Sequence, residues 1–156
     1  YIPPANFGAV HAHCIYRSAY PQDRDMDFVK KLKIKSVLYA PPARHRPHGY
    51  SQWLASGVQQ FRVDIAPNKK GSVSSTDSLC EALLHVLDAA NHPIHIHCNQ
   101  GKHRTGCVVA CLRKVQGVPL PAILAEYVDY SSPKQRPGDE ALIRDFDPAS
   151  LYRFVL

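Results

Sequence analysis

The sequence predicts an α/β fold, in which a central, mostly parallel sheet of about four to five strands is flanked by helices on both faces. Short apolar runs of strand length, at residues 34–40 and 94–97, alternate with segments of helical periodicity. Residues 105–116 are apolar almost all round and predict a buried central helix. Because parallel sheets bind ligands beyond the carboxyl ends of their strands, we expect the functional residues there.

The first half of the chain follows this alternation. Residues 10–18 predict one or two short strands, and residues 26–32 predict a short helix behind acidic residues. A buried strand at 34–40, a short helix at 50–56 that ends at Gly57 and a strand at 58–64 come next. Residues 65–75 then form a long basic loop, which suits a mobile flap over an anion site.

The second half contains the predicted centre of the fold. A long amphipathic helix, capped by Ser75 or Thr76 and ending near Ala90, precedes the central strand. Further helices are predicted at 121–130 and 139–146, with a weakly alternating segment at 151–156. Between those two helices lies a basic turn, residues 131–138, whose side chains face either the site or water.

Length and composition are those of one globular domain spanning residues 1–156, of which 45% are hydrophobic and 21% charged. The net charge of +6 favours anionic partners, but the basic residues are scattered, so we expect a phosphorylated small molecule or a phosphopeptide and no nucleic acid. No apolar run reaches the length of a membrane span. The oligomeric state stays open.

The five cysteines form no disulfide-scaffold pattern and predict reduced thiols in the cytoplasm, possibly the nucleus. Cys107 and Cys111 lie in the apolar helical run and fit core positions. His11, His13 and Cys14 superficially resemble a metal cluster, but no second group of ligands follows at a zinc-like spacing. We therefore expect no metal and no cofactor.

Cys98 and Arg104 mark the two ends of a polar loop between the central strand and the apolar helix. Such a loop directs backbone N–H groups, a helix N-terminus and an arginine fork at one centre, which is a phosphate cradle with a thiol in its floor. The same positive groups favour the thiolate, which is the nucleophilic form of cysteine. The spacing therefore predicts nucleophilic phosphoryl transfer rather than a buried structural thiol.

Other residues of this loop have predicted roles. Gly101 lets the backbone bend toward the anion. The hydroxyl of Thr105 stabilises the thiolate as a leaving group when a phosphocysteine intermediate is hydrolysed. His97 orients the loop and is not the base.

The segment from His97 to Gly106, HCNQGKHRTG, resembles the CxxxxxR signature of cysteine-dependent phosphatases, and in particular the HCxxGKHRTG form of the plant and fungal atypical dual-specificity phosphatases. The similarity extends from about Asn6 to Asp147 and includes the segment from Ile15 to Pro21 and the pair Lys134 and Arg136. It implies a compact fold of the dual-specificity phosphatase type and a preference for inositol pyrophosphates.

Two positions depart from that family's pattern. Asn99 and Gln100 follow the cysteine, where the family commonly has a basic residue at one or both positions. The flap contains Asn68-Lys69-Lys70, where relatives resemble Asn-Lys-Glu. The first departure weakens the expected attraction for highly charged substrates, and the second removes an acid.

Asp64 is the one carboxylate near the spacing at which phosphatases of this mechanism place a general acid. It either protonates the leaving group or simply ends a strand. If the leaving group is a phosphate, it departs as a stable anion and needs little protonation, so a weak acid favours phosphoanhydride substrates.

The leading hypothesis is a cysteine-dependent phosphohydrolase that removes the terminal phosphate of inositol pyrophosphates. The alternatives are a protein tyrosine or dual-specificity phosphatase that depends on Asp64, and a phosphate-binding adaptor without turnover. The predicted catalytic residues are Cys98, Arg104, Thr105 and Asp64, and the predicted substrate-binding residues are Asn99, Gln100, Gly101, Lys102, His103, Lys69 and Lys70.

Overall fold

A computed structural model describes residues 1–43, 45–69 and 71–155. The described residues form five strands: β1 Gly8–His11, β2 Ile15–Ser18, β3 Ser36–Tyr39, β4 Gln59–Arg62 and β5 Ile94–His97. They also form seven α-helices: α1 Met26–Lys31, α2 His48–Ala55, α3 Thr76–Leu87, α4 Arg104–Val115, α5 Leu120–Ser131, α6 Pro137–Asp145 and α7 Tyr152–Val155. Lys70 of the predicted substrate-binding set lies outside the described residues.

The strands make one sheet in the order β1-β2-β5-β3-β4. β1 pairs with β2 antiparallel, and every other pair is parallel, with β5 in the centre between β2 and β3. This confirms the predicted α/β class with a mostly parallel sheet. It also resolves the first segment into two strands that form an antiparallel edge.

Both faces of the sheet are covered. Ile94 and Ile96 of β5 belong to the larger core cluster, which includes residues of α3 and α4. On the other face, Val37 of β3 packs in a second cluster with Val29 of α1 and Tyr50 of α2. The alternation of side chains along each strand produces these two separate cores.

α4 is the buried central helix that the sequence predicts. From Thr105 to Leu112 all its residues are buried, while Arg113 and Lys114 in its last turn reach other elements. Arg113 pairs with Glu126 of α5, with Nε 3.1 Å from Oε1, and Lys114 donates to the carbonyl oxygens of Arg144 and Phe146. These contacts attach the last turn of α4 to α5 and to the end of α6.

The predicted end of the third helix is wrong. α3 ends at Leu87 rather than near Ala90, because Asp88 adopts an extended conformation. Its carboxylate accepts a hydrogen bond from the Ala90 N–H at 2.9 Å and starts a separate 3-10 turn, Ala89–Asn91. The last segment is also helical rather than alternating, with a 3-10 turn at Pro148–Leu151 before α7. None of the helices in the described ranges is long and apolar enough to cross a lipid bilayer.

Candidate active site

The cysteine loop, residues 98–104, joins the end of β5 to the start of α4. The sulfur of Cys98 accepts a hydrogen bond from the N–H of Gly101 at 3.2 Å, and the Cys98 residue is 3% exposed. Arg104 is the first residue of α4, and its Nε donates to the Ile65 carbonyl at 3.2 Å. Because only Nε makes a hydrogen bond within the described residues, both terminal nitrogens of this guanidinium are available for phosphate oxygens.

Gly101 bends the loop in the way that its sequence position predicts. Its φ is +72°, in the left-handed region that favours glycine. A Cβ here would lie 2.5 Å from the Ser18 carbonyl carbon and 2.6 Å from the Ala19 nitrogen. The loop thus lies directly on the end of β2, and no side chain fits between them.

Arg17 and Asn6 hold the loop from behind. Arg17 Nη2 and Asn6 Nδ2 each donate to the Gly101 carbonyl at 3.1 Å. Arg17 is 1% exposed, and its guanidinium lies 3.7 Å from the centre of the Tyr130 ring. Burial lowers the pKa of Arg17 to about 10, so it remains a cation at neutral pH, and it interacts electrostatically with Cys98.

These two donors also fix the direction of a backbone amide. The peptide between Gly101 and Lys102 is trans, so its N–H points opposite to its carbonyl. Since the carbonyl faces Arg17 and Asn6, the Lys102 N–H points away from them. Sequence reasoning did not assign Arg17 or Asn6 a role, although both lie in the stretch that resembles the phosphatase family.

A cavity of about 270 Å³, here called the cysteine pocket, opens over the loop. It brings together most of the predicted residues, and its described lining consists of Pro42, Ala43, Lys69, Cys98, Asn99, Gln100, His103, Arg104 and Arg136. The sequence left open whether the basic turn, residues 131–138, faces the site or water. Arg136 of this turn lines the cysteine pocket. The described lining contains three permanent cations and no carboxylate.

Lys102 and Asp64 lie elsewhere. Lys102 is half-buried and lines a separate cavity of about 540 Å³ with Arg24, Asp25 and Asp129. The side chain of Asp64 is 81% exposed, and one carboxylate oxygen lies 3.4 Å from Nη2 of Arg62. In this structure, neither side chain belongs to the described lining of the cysteine pocket.

The histidines beside the cysteine differ in their surroundings. His97 is buried against three tyrosine rings, and its Nε2 lies 2.6 Å from the Tyr50 hydroxyl. Burial lowers its pKa well below the usual value, so the ring is neutral. His103 uses Nε2 to donate to the Lys134 carbonyl at 2.6 Å, and burial also lowers its pKa. His103 therefore attaches the loop to the basic turn, with only Nδ1 remaining for a ligand.

Thr105 is the second residue of α4 and is 1% exposed. Its hydroxyl oxygen is buried and makes no hydrogen bond with any described residue. A buried hydroxyl without a partner at the foot of a phosphate cradle is consistent with the predicted interaction with the leaving sulfur.

Comparison with known proteins identifies the family of this chain. Residues 1–153 match the model of a family described as the tyrosine phosphatase family. The inositol diphosphatase DSP1 of Oryza sativa subsp. japonica is 42% identical over 152 residues, which cover 96% of this chain and 68% of that protein. The inositol diphosphatase SIW14 of Saccharomyces cerevisiae is 38% identical over 156 residues, covering 99% of this chain and 55% of that protein.

Solved structures show the same fold. The core catalytic domain of the yeast PP-IP phosphatase SIW14, in complex with citrate, superposes with a TM-score of 0.87 at 36% identity over 99% of this chain and 93% of that one. TpbA of P. aeruginosa shares the fold at a TM-score of 0.75 and 20% identity, over 96% of this chain and 90% of that one. The chain therefore belongs to the tyrosine phosphatase family.

Proposed function

We propose that this protein removes the terminal phosphate of inositol pyrophosphates, with Cys98 as the nucleophile. One observation carries the proposal: among the described residues, the cysteine pocket combines a thiol with Lys69, Arg104 and Arg136, and no carboxylate lines it. Such a pocket suits an anion with several adjacent phosphates. The similarity to two proteins named inositol diphosphatases, at 42% and 38% identity, supports the same substrate class.

In the first step, the Cys98 thiolate attacks the terminal phosphorus. An S–P bond forms while the bond to the bridging anhydride oxygen breaks, and the remaining inositol phosphate leaves with that electron pair. The terminal nitrogens of Arg104 bind two of the oxygens on the transferred group. The backbone N–H groups of the loop stabilise the negative charge that develops on this group. Lys69 and Arg136 neutralise the neighbouring phosphates.

In the second step, water hydrolyses the phosphocysteine. The oxygen of water attacks phosphorus, the S–P bond breaks, and the sulfur leaves as a thiolate while the proton of water passes to solvent. The Thr105 hydroxyl, which lacks a partner among the described residues, donates a hydrogen bond to the departing sulfur. The N–H of Gly101 already donates to the same atom at 3.2 Å.

No carboxylate is among the described residues that line the cysteine pocket. The reaction does not need one as a general acid, because of the nature of its leaving group. An alkoxide or phenolate needs protonation as it leaves, and general acids commonly contribute on the order of 10²–10⁴ in rate. A phosphate leaving group is already a stable anion. The exposed Asp64, paired with Arg62, is therefore not required for the anhydride.

The test measures phosphate release by the purified protein from an inositol pyrophosphate and from a phosphotyrosine peptide. We expect the pyrophosphate to have the higher kcat/KM, and Cys98→Ser to abolish its turnover while Cys14→Ser, a half-buried cysteine outside the pocket, retains it. A preference for the peptide would refute the substrate. Equal release by Cys98→Ser would refute the mechanism.

Asp64→Asn tests whether hydrolysis of the pyrophosphate needs a general acid. We expect it to change kcat for the pyrophosphate by less than about threefold, because no proton has to be delivered to the leaving phosphate. A loss of about 10² or more on the pyrophosphate would make Asp64 the general acid and would contradict this account of the leaving group.

A further inference from the structure

A second cavity lies beside the cysteine pocket, and apart from Lys69 and Arg136 the residues that line it play no part in the reaction above. It has a volume of about 670 Å³, within the range of small-molecule sites, and we call it the apolar groove. The flap, α3 and α6 form it, and its lining consists of Asn68, Lys69, Ser72, Val73, Ser74, Thr76, Leu79, Arg136, Pro137, Gly138, Ala141, Leu142, Asp145 and Phe146.

The walls of the groove are mainly aliphatic and aromatic. Leu79 and Phe146 are buried members of the larger core cluster and form its floor, while Leu142 packs against that cluster. Val73, on the flap, is 74% exposed and contributes to the rim. Such walls cannot replace the hydration of a polyphosphate, so the groove does not suit the substrate proposed above.

One end of the groove is cationic. Lys69 and Arg136 line both the groove and the cysteine pocket, and within the described residues neither side chain is hydrogen-bonded or ion-paired. An anion between these two cations has the Cys98 site on one side and an apolar channel on the other. Asp145 also lines the groove, which disfavours a second anionic group there.

A groove with apolar walls and a cationic end fits one kind of ligand. We propose that the apolar groove binds a single-chain amphiphile, with its aliphatic chain along Leu79, Leu142 and Phe146 and its anionic head group between Lys69 and Arg136. The head group binds Lys69 and Arg136, the two cations that also neutralise the phosphates of the substrate. Binding of the amphiphile and of the substrate is therefore mutually exclusive.

The fit of the flap against α6 gives the groove a defined shape. A Cβ at Gly138 would lie 3.1 Å from the Asn68 Cβ and 3.0 Å from its carbonyl carbon, so the start of α6 lies against the flap backbone. The Asn68 side chain is buried and donates to the Asp139 carboxylate at 3.0 Å. These contacts hold Lys69 next to Arg136 at the junction of the two cavities.

A chain-length series tests the proposal. Butyl-, hexyl-, octyl- and decylphosphonate are assayed as inhibitors of 4-nitrophenyl phosphate hydrolysis, below their micellar concentrations and without detergent, because a detergent is itself a single-chain amphiphile. The phosphonate C–P bond resists transfer, and the small substrate makes the assay independent of the inositol pyrophosphate proposal. We expect inhibition, because an anionic head group between Lys69 and Arg136 repels the phosphate of the substrate in the adjoining cysteine pocket. Its inhibition constant should fall about tenfold or more from butyl to decyl, since each buried methylene adds to affinity.

Two variants locate the effect. Ala141→Trp fills the groove from an exposed rim position, and Val73→Asp places a charge on its rim. Both should remove the chain-length dependence while leaving inhibition by inorganic phosphate unchanged. The control is Val155→Asp, at a valine outside the groove that is 61% exposed, and this variant should behave like the wild type.

Three results would overturn the proposal. The first is an inhibition constant that is the same along the series within about twofold, since burying six further methylenes cannot leave affinity unchanged. The second is a chain-length dependence that persists in Ala141→Trp and Val73→Asp, and the third is the absence of inhibition by any of the four phosphonates below their micellar concentrations. If the dependence disappears in both groove variants and not in Val155→Asp, the site is established, whichever phosphate compound proves to be the natural substrate.

Discussion

At the scale of single residues, the geometry of the cysteine loop depends on a buried cation, Arg17, that is not part of the described lining of the cysteine pocket. Arg17 and Asn6 both donate to the Gly101 carbonyl and so turn the next peptide N–H away from themselves. If that N–H is one of the donors to the phosphoryl group, its direction is set by residues on the far side of the loop. Arg17 is then a positioning residue, and its planar, stacked guanidinium is not replaceable by an ammonium.

Arg17→Lys tests this role. The lysine retains the charge but loses the fork and the stacking on Tyr130, so we expect kcat/KM for the phosphorylated substrate to fall by about tenfold or more. The measurement is steady-state kinetics on protein whose circular dichroism matches the wild type.

Asn6→Gly serves as the milder comparison, because glycine tolerates the positive φ of 57° at this position and removes only the amide. The Asn6 amide donates to the carbonyls of both Gly101 and Tyr130, and we expect a smaller loss of kcat/KM than in Arg17→Lys, in keeping with the modest net value of two neutral hydrogen bonds. Folded Arg17→Lys protein with wild-type kinetics would show that Arg17 serves the fold and not the loop.

At the scale of elements, a buried network ties the flap to α5 and α6. Asp139 accepts from Asn68 Nδ2 at 3.0 Å and from the Tyr127 hydroxyl at 2.6 Å. The same hydroxyl accepts from the Arg136 N–H at 2.9 Å, and Asn68 Oδ1 accepts from the Ser74 N–H at 2.6 Å. The network thus fixes the base of the flap and the backbone that carries Arg136.

Tyr127→Phe removes the shared hydroxyl from this network. It deprives the buried Asp139 of a donor and leaves the Arg136 N–H without its acceptor, so we expect the free energy of unfolding to fall by about 1–3 kcal/mol. Urea denaturation of the variant and the wild type measures this difference in the free energy of unfolding.

Tyr130→Phe, on the same helix, is the matched control, because the hydroxyl of Tyr130 makes no hydrogen bond with any described residue. Its free energy of unfolding should stay within about 0.5 kcal/mol of the wild type. An equal loss in both variants would contradict the importance assigned to the network.

The sequence predicted the parts of the site that are close together in the chain. Cys98, Gly101 and Arg104 belong to one strand-loop-helix unit, whose shape follows from local periodicity and spacing. The positions of Arg136 and Lys102 could not be predicted in this way. Arg136 reaches the pocket through the contact between α6 and the flap, and Lys102 extends to the opposite side of the loop from His103. Neither placement follows from sequence spacing, because tertiary packing decides which side chains converge.

At the scale of the whole molecule, the two cores on either side of the sheet differ in polarity. The larger core, with α3 and α4, is aliphatic around β5. On the other face of β5, His97 contacts tyrosine rings, and His95 contacts the His97 ring and the Ser18 hydroxyl. Burial lowers the pKa of His95 to about 3 and that of His97 well below its usual value. Both rings are therefore neutral in the folded protein.

This burial predicts how stability depends on pH. In the unfolded chain, histidine titrates near 6.5, so below that pH the unfolded state binds protons that the folded state does not. The stability contributed by the neutral rings is complete above pH 6.5 and is lost as the pH falls toward 3. At pH 5, the loss from His95 is about 2 kcal/mol, and His97 contributes a loss of the same sign.

The check is urea denaturation at pH 7.5 and pH 5. His95→Gln should reduce the difference in unfolding free energy between the two conditions by about 2 kcal/mol, because one of the two titrating rings is gone. Equal pH dependence in the variant and the wild type would show that His95 takes up its proton without unfolding.

Direct detection of the covalent intermediate is the measurement that tests the central claim. An inositol pyrophosphate labelled in its terminal phosphate is mixed with enzyme, quenched within the first turnover and digested, and the labelled peptide is identified by mass spectrometry. We expect label on Cys98 in the wild type and in Cys14→Ser, and none in Cys98→Ser. Turnover with no label on Cys98, or undiminished turnover by Cys98→Ser, would contradict it.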